Sequence, residues 1–203
     1  MVSRRTSESP ALAAATAAVR QSIDSYVAAA LSQYRPRRYS SSKVIHDTLW
    51  GTNSYAPHEL VIIDSPLFQR LRYVNQTGLA LFTYPSLNHS RFEHSLGMTT
   101  IAARFLNRIN ARHPGIAEPK HMDELRLAAL LHDCGHGFLS HVSEEIYRWY
   151  PSVSELRLDA RFSHAKPSEI FSYLILTSES FKSFFAKYVI KDGLDIDLNS
   201  IAD

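Results

Sequence analysis

The run Leu130-Leu131-His132-Asp133-Cys134-Gly135-His136-Gly137 constrains this chain more than any other feature, because it sets a polar, titratable cluster at the end of an apolar helix. Burying an ionised Asp beside a His is expensive unless something positive compensates, and a divalent cation does so directly. Asp123 reads as the cap of that helix, whose stripe runs Leu125, Ala128, Ala129 and His132 and so delivers His132 into the interior before Gly135 and Gly137 end it. Adjacent His and Asp in a loosened last turn can face one ion, since the glycines admit close approach. The third donor must come from elsewhere in the chain, and His94, at the start of the preceding long helix, is the best placed. Of the ten histidines, eight fall between His89 and His164. A core that needs only packing has no reason to gather so many titratable groups. Histidine and carboxylate donors suit Mn, Fe, Zn, Ni or Mg in different proportions, so the donor type alone does not choose the metal.

At 203 residues, 45% hydrophobic and 21% charged, the chain has the size of one globular domain with a short appendage, which excludes a disordered or fibrous protein. A single cysteine, Cys134, closes no internal disulfide, and no apolar run reaches the roughly 18 residues of a membrane span. The expected setting is therefore aqueous and reducing, cytoplasmic or, in a eukaryote, nuclear, with no membrane partner. The formal charge of +2 gives no global argument for nucleic acid. The charge is uneven, however. Arg4, Arg5, Arg20, Arg35, Arg37, Arg38 and Lys43 face only Glu8 and Asp24 in the first 43 residues, so this segment could touch nucleic acid or a partner, although a solvated face is the commoner use of such residues.

Leu12, Val19, Ile23, Tyr26, Val27, Ala30, Leu31 and Tyr34 recur at helical spacing, so we read residues 11–34 as one amphipathic helix, stopped by Pro36. Val44-Ile45 and Leu60-Val61-Ile62-Ile63 read as short β-branched strands. Ser65-Pro66 opens a helix carrying Leu67, Leu71 and Val74. From near Phe92, a stripe of Met98, Ile101, Ala102, Phe105, Leu106 and Ile109 marks a long helix, and residues 142–149 and about 168–188 read as two more. The fold class is thus mainly α, a helical bundle with minor strands and an N-terminal amphipathic helix.

The cluster resembles the HD superfamily of metal-dependent phosphohydrolases. Lys43-Val44-Ile45-His46-Asp47, Ile62-Ile63-Asp64-Ser65-Pro66-Leu67-Phe68-Gln69-Arg70-Leu71-Arg72-Tyr73 and His89-Ser90-Arg91-Phe92-Glu93-His94-Ser95-Leu96-Gly97 resemble its deoxynucleoside triphosphate triphosphohydrolase branch. The resemblance covers about residues 43–164. It implies metal ligation by His94, His132 and Asp133, a phosphate contact from Arg91, and a sugar 3′-hydroxyl contact from Gln76. It further implies that His136, His141 and His164 are catalytic histidines, His141 being the general acid, with Glu144 orienting it. The spacing agrees, since residues three apart share a helix face. Without the resemblance, Arg91 reads as a surface ion pair with Glu93 or Glu145.

The implied reaction is attack of metal-activated water on the α-phosphorus of a deoxynucleoside triphosphate, releasing a deoxynucleoside and inorganic triphosphate. The implied partners are a deoxynucleotide substrate and further copies of the chain. A different nucleotide as substrate, or a non-catalytic HD module serving as a nucleotide-binding, nucleic-acid-binding or regulatory subunit, are the competing readings. The sequence departs from the family at Asp47-Thr48-Leu49-Trp50-Gly51, which stands where Asp-Pro-Ile-His-Gly is usual, and at Ala165, where an acidic residue is usual. The family's last ligand, in an Asp-x-Asp-x-x-Asp-Tyr segment, has no clear counterpart; Asp195, Asp197 and Asp203 are the acidic residues nearest in kind. We therefore divide the chain into an N-terminal helix and basic linker, 1–42, and an HD domain, 43–203, expected to lack its C-terminal part and to have little or no triphosphohydrolase activity by itself.

Overall fold

The computed structural model describes residues 10–190 and 194–202; Arg4, Arg5, Glu8, Asp203 and the Leu12 side chain lie outside them. The architecture is mainly helical. Helix α1 (Pro10–Leu31) is followed by a hairpin of β1 (Lys43–Asp47) and β2 (Gly51–Tyr55), paired antiparallel with Lys43 opposite Tyr55. Then come α2 (Pro57–Ile63), α3 (Pro66–Gln69), α4 (Arg91–Arg112), α5 (Pro119–Leu131), α6 (His141–Tyr147), α7 (Pro151–Leu156), α8 (Pro167–Leu176), α9 (Glu179–Phe184) and α10 (Leu198–Ala202). Short 3-10 turns at Arg70–Tyr73, Gly78–Phe82 and Ala160–Phe162 connect them. No described helix is long and apolar enough to cross a membrane.

The main core gathers Val27 of α1, Leu60 to Ile63 of α2, Phe68, Leu71, Phe92 and Leu96 around Leu127, Leu130 and Leu131 of α5, closed by Phe181, Phe184 and Phe185. The Leu60–Ile63 run is helical, not extended. Pro57 occupies the first turn, and the Glu59 carboxylate accepts the Ala56 N–H at 2.7 Å, so a local start signal competes with β-branched propensity. All four side chains are buried, and burial on every side removes the alternation that would separate strand from helix. The second strand is instead Gly51–Tyr55, with Asn53 and Tyr55 turned inward.

The phase of α5 also differs from the stripe read in the sequence. Pro119 starts the helix, Asp123 lies inside it, and Leu127, Leu130 and Leu131 face the core while Leu125 is exposed. In α4 the buried residues belong to the first turns, Phe92, Ser95, Leu96, Thr99 and Thr100, whereas Phe105 is 67% exposed. The expected helix over 168–188 is two helices. Ser178 accepts the Phe181 N–H at 3.2 Å and restarts the chain as α9, which runs into a π-turn at Phe185–Val189.

Helix α1 packs on α7, α8 and α9, with Val27 fully buried and Asp24 accepting the Ser180 N–H at 2.8 Å. It ends at Leu31, three residues short of Tyr34. Tyr34 and Tyr39, the aromatic residues beside the basic linker, turn inward: the Tyr34 hydroxyl donates to the Val61 carbonyl at 2.8 Å and the Tyr39 hydroxyl binds Asp64. The Trp50 indole of the departed motif lies so close to α4 that a Cβ on Gly97 would meet its Nε1 at 2.8 Å.

One buried ion pair ties these layers. Arg126 of α5 forks onto the fully buried Glu59 of α2 at 2.7 and 2.8 Å, and donates to the Ser54 carbonyl at 3.0 Å. Removing one partner strands the other. Arg126→Ala should therefore lower unfolding free energy in urea by about 3–5 kcal/mol, and Arg126→Lys, lacking the fork, by part of that. A loss below about 1 kcal/mol would mean that the pair behaves as a solvated one.

Candidate metal centre

The N-terminus of α4 and the C-terminus of α5 meet at the cluster. Ser90 caps α4, accepting the Glu93 N–H at 3.3 Å while the Glu93 carboxylate accepts the Ser90 N–H at 2.7 Å. That start fixes Arg91 and His94 on the first turn. At the other end His132 is still helical in its backbone, donating its N–H to the Ala128 carbonyl at 2.9 Å. Its side chain is 38% exposed, so it sits at the rim of the site and not in the interior, because the core face of α5 is one step out of phase with it. The next residue, Asp133, is buried.

His132 Nδ1 lies 2.8 Å from the Ala129 carbonyl oxygen. A carbonyl only accepts, so Nδ1 carries the proton and Nε2 offers its lone pair. That atom is 3.3 Å from Asp133 Oδ1, and His94 Nε2 is 3.7 Å from Asp133 Oδ2. The donor atoms of His94, His132 and Asp133 all lie within 4.8 Å of one another. Two imidazoles and one carboxylate at such separations fit a divalent transition metal, and the backbone acceptor behind His132 is the kind of support that such ligands use. Burial raises the Asp133 carboxyl, but His132, Arg91 and His136 outweigh it and hold it below the usual carboxylate range. Burial, chiefly, pulls His94 below the usual imidazole value.

Arg91 is 1% exposed and contacts neither expected surface carboxylate. Glu93 is used in the cap and Glu145 pairs with Arg148 at 2.9 Å. The Arg91 guanidinium instead donates to Asp133 Oδ2 at 2.6 Å and to Ser140 Oγ from Nε at 3.0 Å and from Nη2, with Nη2 also 3.3 Å from His141 Nε2. With Asp133 on Nη1 and Ser140 on Nε and Nη2, at least one of its five N–H groups, on Nη1, is left over for an anion.

Ser140 was not legible as a site residue, and neither were Ser168 and Arg70. Ser140 holds φ 55° and ψ −128°, a conformation that glycine adopts readily and other residues rarely do. Its hydroxyl accepts from Arg91 and donates to the Gln76 carbonyl at 3.0 Å. The Gln76 side-chain Oε1 is buried with no partner. Arg70 holds the turn after Asp133 by donating to the His136 carbonyl at 2.8 Å and to that of Cys134. Gly135 is packed so tightly on α8 that a Cβ there would collide with the Ser168 carbonyl, and its N–H donates to Ser172 Oγ at 2.8 Å.

A second group adjoins the first. His136 is buried, its Nε2 3.4 Å from Asp133 Oδ1, and its ring meets that of His141 edge-on at 5.1 Å. Burial, followed by the charge of Arg91, brings His136 down to about 4. His141 Nδ1 is 3.3 Å from Glu144 Oε1, and the Ser168 hydroxyl donates to the same oxygen. Burial raises Glu144, yet the bonds from Ser168 and His141 hold it below the usual range. His164 is exposed and follows the Ala160–Phe162 turn, outside both donor groups among the described residues. Asp195 pairs with Lys120 at 3.9 Å, and the Asp197 N–H donates to Glu124 at 3.0 Å. Those contacts are at the start of α5, with Glu124 roughly 12 Å along the helix from His132. Neither aspartate therefore approaches the cluster.

The HD domain family model matches residues 91–192, half of the chain and both donor groups. The chain belongs to the HD-domain superfamily. Its relatives include deoxynucleoside triphosphate triphosphohydrolases. It is 32% identical over 156 residues to the human deoxynucleoside triphosphate triphosphohydrolase SAMHD1, covering 76% of this chain and 24% of that protein. The Dictyostelium discoideum homolog of that protein is 37% identical over 125 residues, 61% of this chain and 23% of its own. An uncharacterized Methanocaldococcus jannaschii protein is 46% identical over 102 residues, 50% of this chain and 21% of its own. The chain thus spans about a quarter of the length of the curated relatives it matches.

Two outcomes follow from this geometry. Ala normally outranks Gly in stability, but at Ser140 the order should reverse: Ser140→Ala keeps the positive φ, so it should be less stable than Ser140→Gly by about 1 kcal/mol. The usual order, read by thermal unfolding, would show that the strain is absent. The depressed Asp133 carboxyl contributes stability above the unfolded value of about 4, which is lost as pH falls through the lower folded value. Metal-free Asp133→Asn should accordingly show a shallower decline of stability below about pH 4 than the wild type. Parallel curves would remove Asp133 from the acid response.

Proposed function

We propose that this chain carries the catalytic centre of a metal-dependent phosphohydrolase that cleaves deoxynucleoside triphosphates to deoxynucleoside and inorganic triphosphate. One observation carries the reading: a three-donor metal set, His94, His132 and Asp133, lies next to a histidine–carboxylate pair, His141 and Glu144, with Arg91 touching both. A cation held by the first set supplies Lewis acidity and makes water nucleophilic near neutral pH. The human and Dictyostelium discoideum relatives, named as deoxynucleoside triphosphate triphosphohydrolases, support the same substrate class.

The chain's own residues account for the remainder. Cleavage of the bond between the α-phosphorus and the 5′-oxygen leaves an alkoxide that needs a proton. His141 is the group that could supply it, because its side chain is 56% exposed at the site while its Nδ1 is oriented by Glu144. The Glu144 carboxylate, held below its usual range by Ser168 and His141 despite its burial, stays ionised at neutral pH and so keeps its bond to the His141 ring. His136 packs edge-on behind His141 and limits how its ring can turn. Arg91 keeps the two groups in register and offers its spare N–H to a phosphate oxygen. The unpartnered Gln76 Oε1 is an acceptor in need of a donor, which a sugar 3′-hydroxyl would provide. The role given to His164 rests on the family resemblance alone.

The competing module reading draws on one fact, that three donors and no fourth gather among the described residues. The test is a single-turnover assay with the chain in excess over each of the four deoxynucleoside triphosphates and Mn, with product separation. We expect inorganic triphosphate, slowly released, and a fall of about 10²–10⁴-fold in His141→Ala with nucleotide binding retained. Pyrophosphate or phosphate as the product would overturn the reaction. Binding without any product would favour the module.

A further inference from the structure

We propose that His136, His141 and Glu144 form a second divalent-cation site that takes zinc or a cation of similar softness, and that its occupation blocks His141 as a proton donor. The site itself stands on geometry; the blocking rests on the function proposed above.

His136, His141 and Glu144 each offer one donor atom within 4.8 Å of the others, and the Nδ1 atoms of both rings face the Glu144 carboxylate. Glu144 Oε1 is 3.3 Å from His141 Nδ1 and 3.9 Å from His136 Nδ1. Two ligands on a tetrahedral zinc at bonds of about 2.0–2.1 Å stand roughly 3.4 Å apart, so both separations are close to those of a ligated set. The longer one is beyond hydrogen-bond range, and His136 Nδ1 has no hydrogen-bond partner among the described residues although the residue is only 5% exposed. A buried ring nitrogen facing a carboxylate across that gap is a donor without an acceptor or a ligand without an ion. The opposite nitrogen of the same ring faces Asp133 at 3.4 Å, so the ring is held by its surroundings in the orientation the ion requires.

The remaining supports are those of a built site. The Ser168 hydroxyl bonds Glu144 and fixes its carboxylate, as outer partners of metal ligands do. His141 and Glu144 are three residues apart on α6 and share its inner face, while His136 comes from the turn that Arg70 clamps. Two imidazoles and one carboxylate suit zinc better than magnesium or calcium, which seek oxygen. His141 is the exposed member, so an ion can arrive from the open side. Once it occupies His141 Nδ1, the hydrogen bond that orients the ring for proton transfer is replaced by a metal bond.

Zinc alone is the probe. The full 203-residue chain, stripped with a chelator, is dialysed to equilibrium against zinc, and metal per chain is counted, with circular dichroism verifying the fold of each variant. The wild type should bind one zinc more than His141→Ala and one more than Glu144→Gln. The pair His94→Ala, His132→Ala should also bind one fewer, and combining it with His141→Ala should remove both. His141 is exposed, so its variant remains informative if Glu144→Gln fails to fold. Equal zinc in wild type and His141→Ala overturns the second site and leaves the first untouched. Loss of one zinc in His141→Ala, with no triphosphate released by the wild type at any zinc level, would instead keep the site and overturn the proposed reaction.

Discussion

The contact between Arg91 and Asp133 organises this protein. Both groups are buried, and taking two charges out of water costs several kcal/mol per ion before their attraction is counted. Each also sits at the unfavourable end of its own helix: Arg91 at the positive N-terminus of α4, Asp133 just beyond the negative C-terminus of α5. Neither placement helps a helix form. What they do together is cross-link the two long helices at the point where His94 and His132 also meet. A cation there would be favoured by the same C-terminal dipole that disfavours Asp133, which gives this end of α5 an electrostatic reason to hold a metal.

From that contact the rest of the site extends outward. Arg91 reaches Ser140, whose strained backbone turns the chain into α6, and whose hydroxyl also holds the segment bearing Gln76. Backbone strain of this kind costs about 1–3 kcal/mol and persists where surrounding bonds over-determine it. Here those bonds come from a guanidinium that is already fixed by Asp133. Disturbing the ion pair would thus release the turn, and with it the direction of His141.

The two donor groups are linked through His136, which faces Asp133 with one nitrogen and Glu144 with the other. Charge placed in either group is felt in its neighbour over one ring width. Such coupling suits a centre in which a cation and a proton act on opposite sides of one phosphorus. It also makes the arrangement sensitive to a cation in the wrong group.

The sequence determined the class and the start of α3. Ser65 before Pro66 and the glycines after Asp133 act over four residues or fewer, so their effects are local and were legible, whereas the Pro57 and Pro119 starts and the Ser90 and Glu93 cap, though equally local, were not read. The His132-Asp133 pair and its resemblance to the HD family were legible for the same reason, since the chemistry is written in adjacent residues. Tertiary structure decided what is set by partners far along the chain. It buried Leu60–Ile63 on all sides, so that no alternation in the sequence separated helix from strand, and it rotated α5 so that Leu127, Leu130 and Leu131 took the core and left His132 at the rim. It buried Arg91 through a bond to Asp133, 42 positions away, where the readings open to the sequence were a phosphate contact or a surface ion pair with Glu93 or Glu145. It forced Ser140 into a conformation that nothing in its own side chain prefers, because the bonds that hold it come from Arg91 and Gln76 and exist only once the helices have packed.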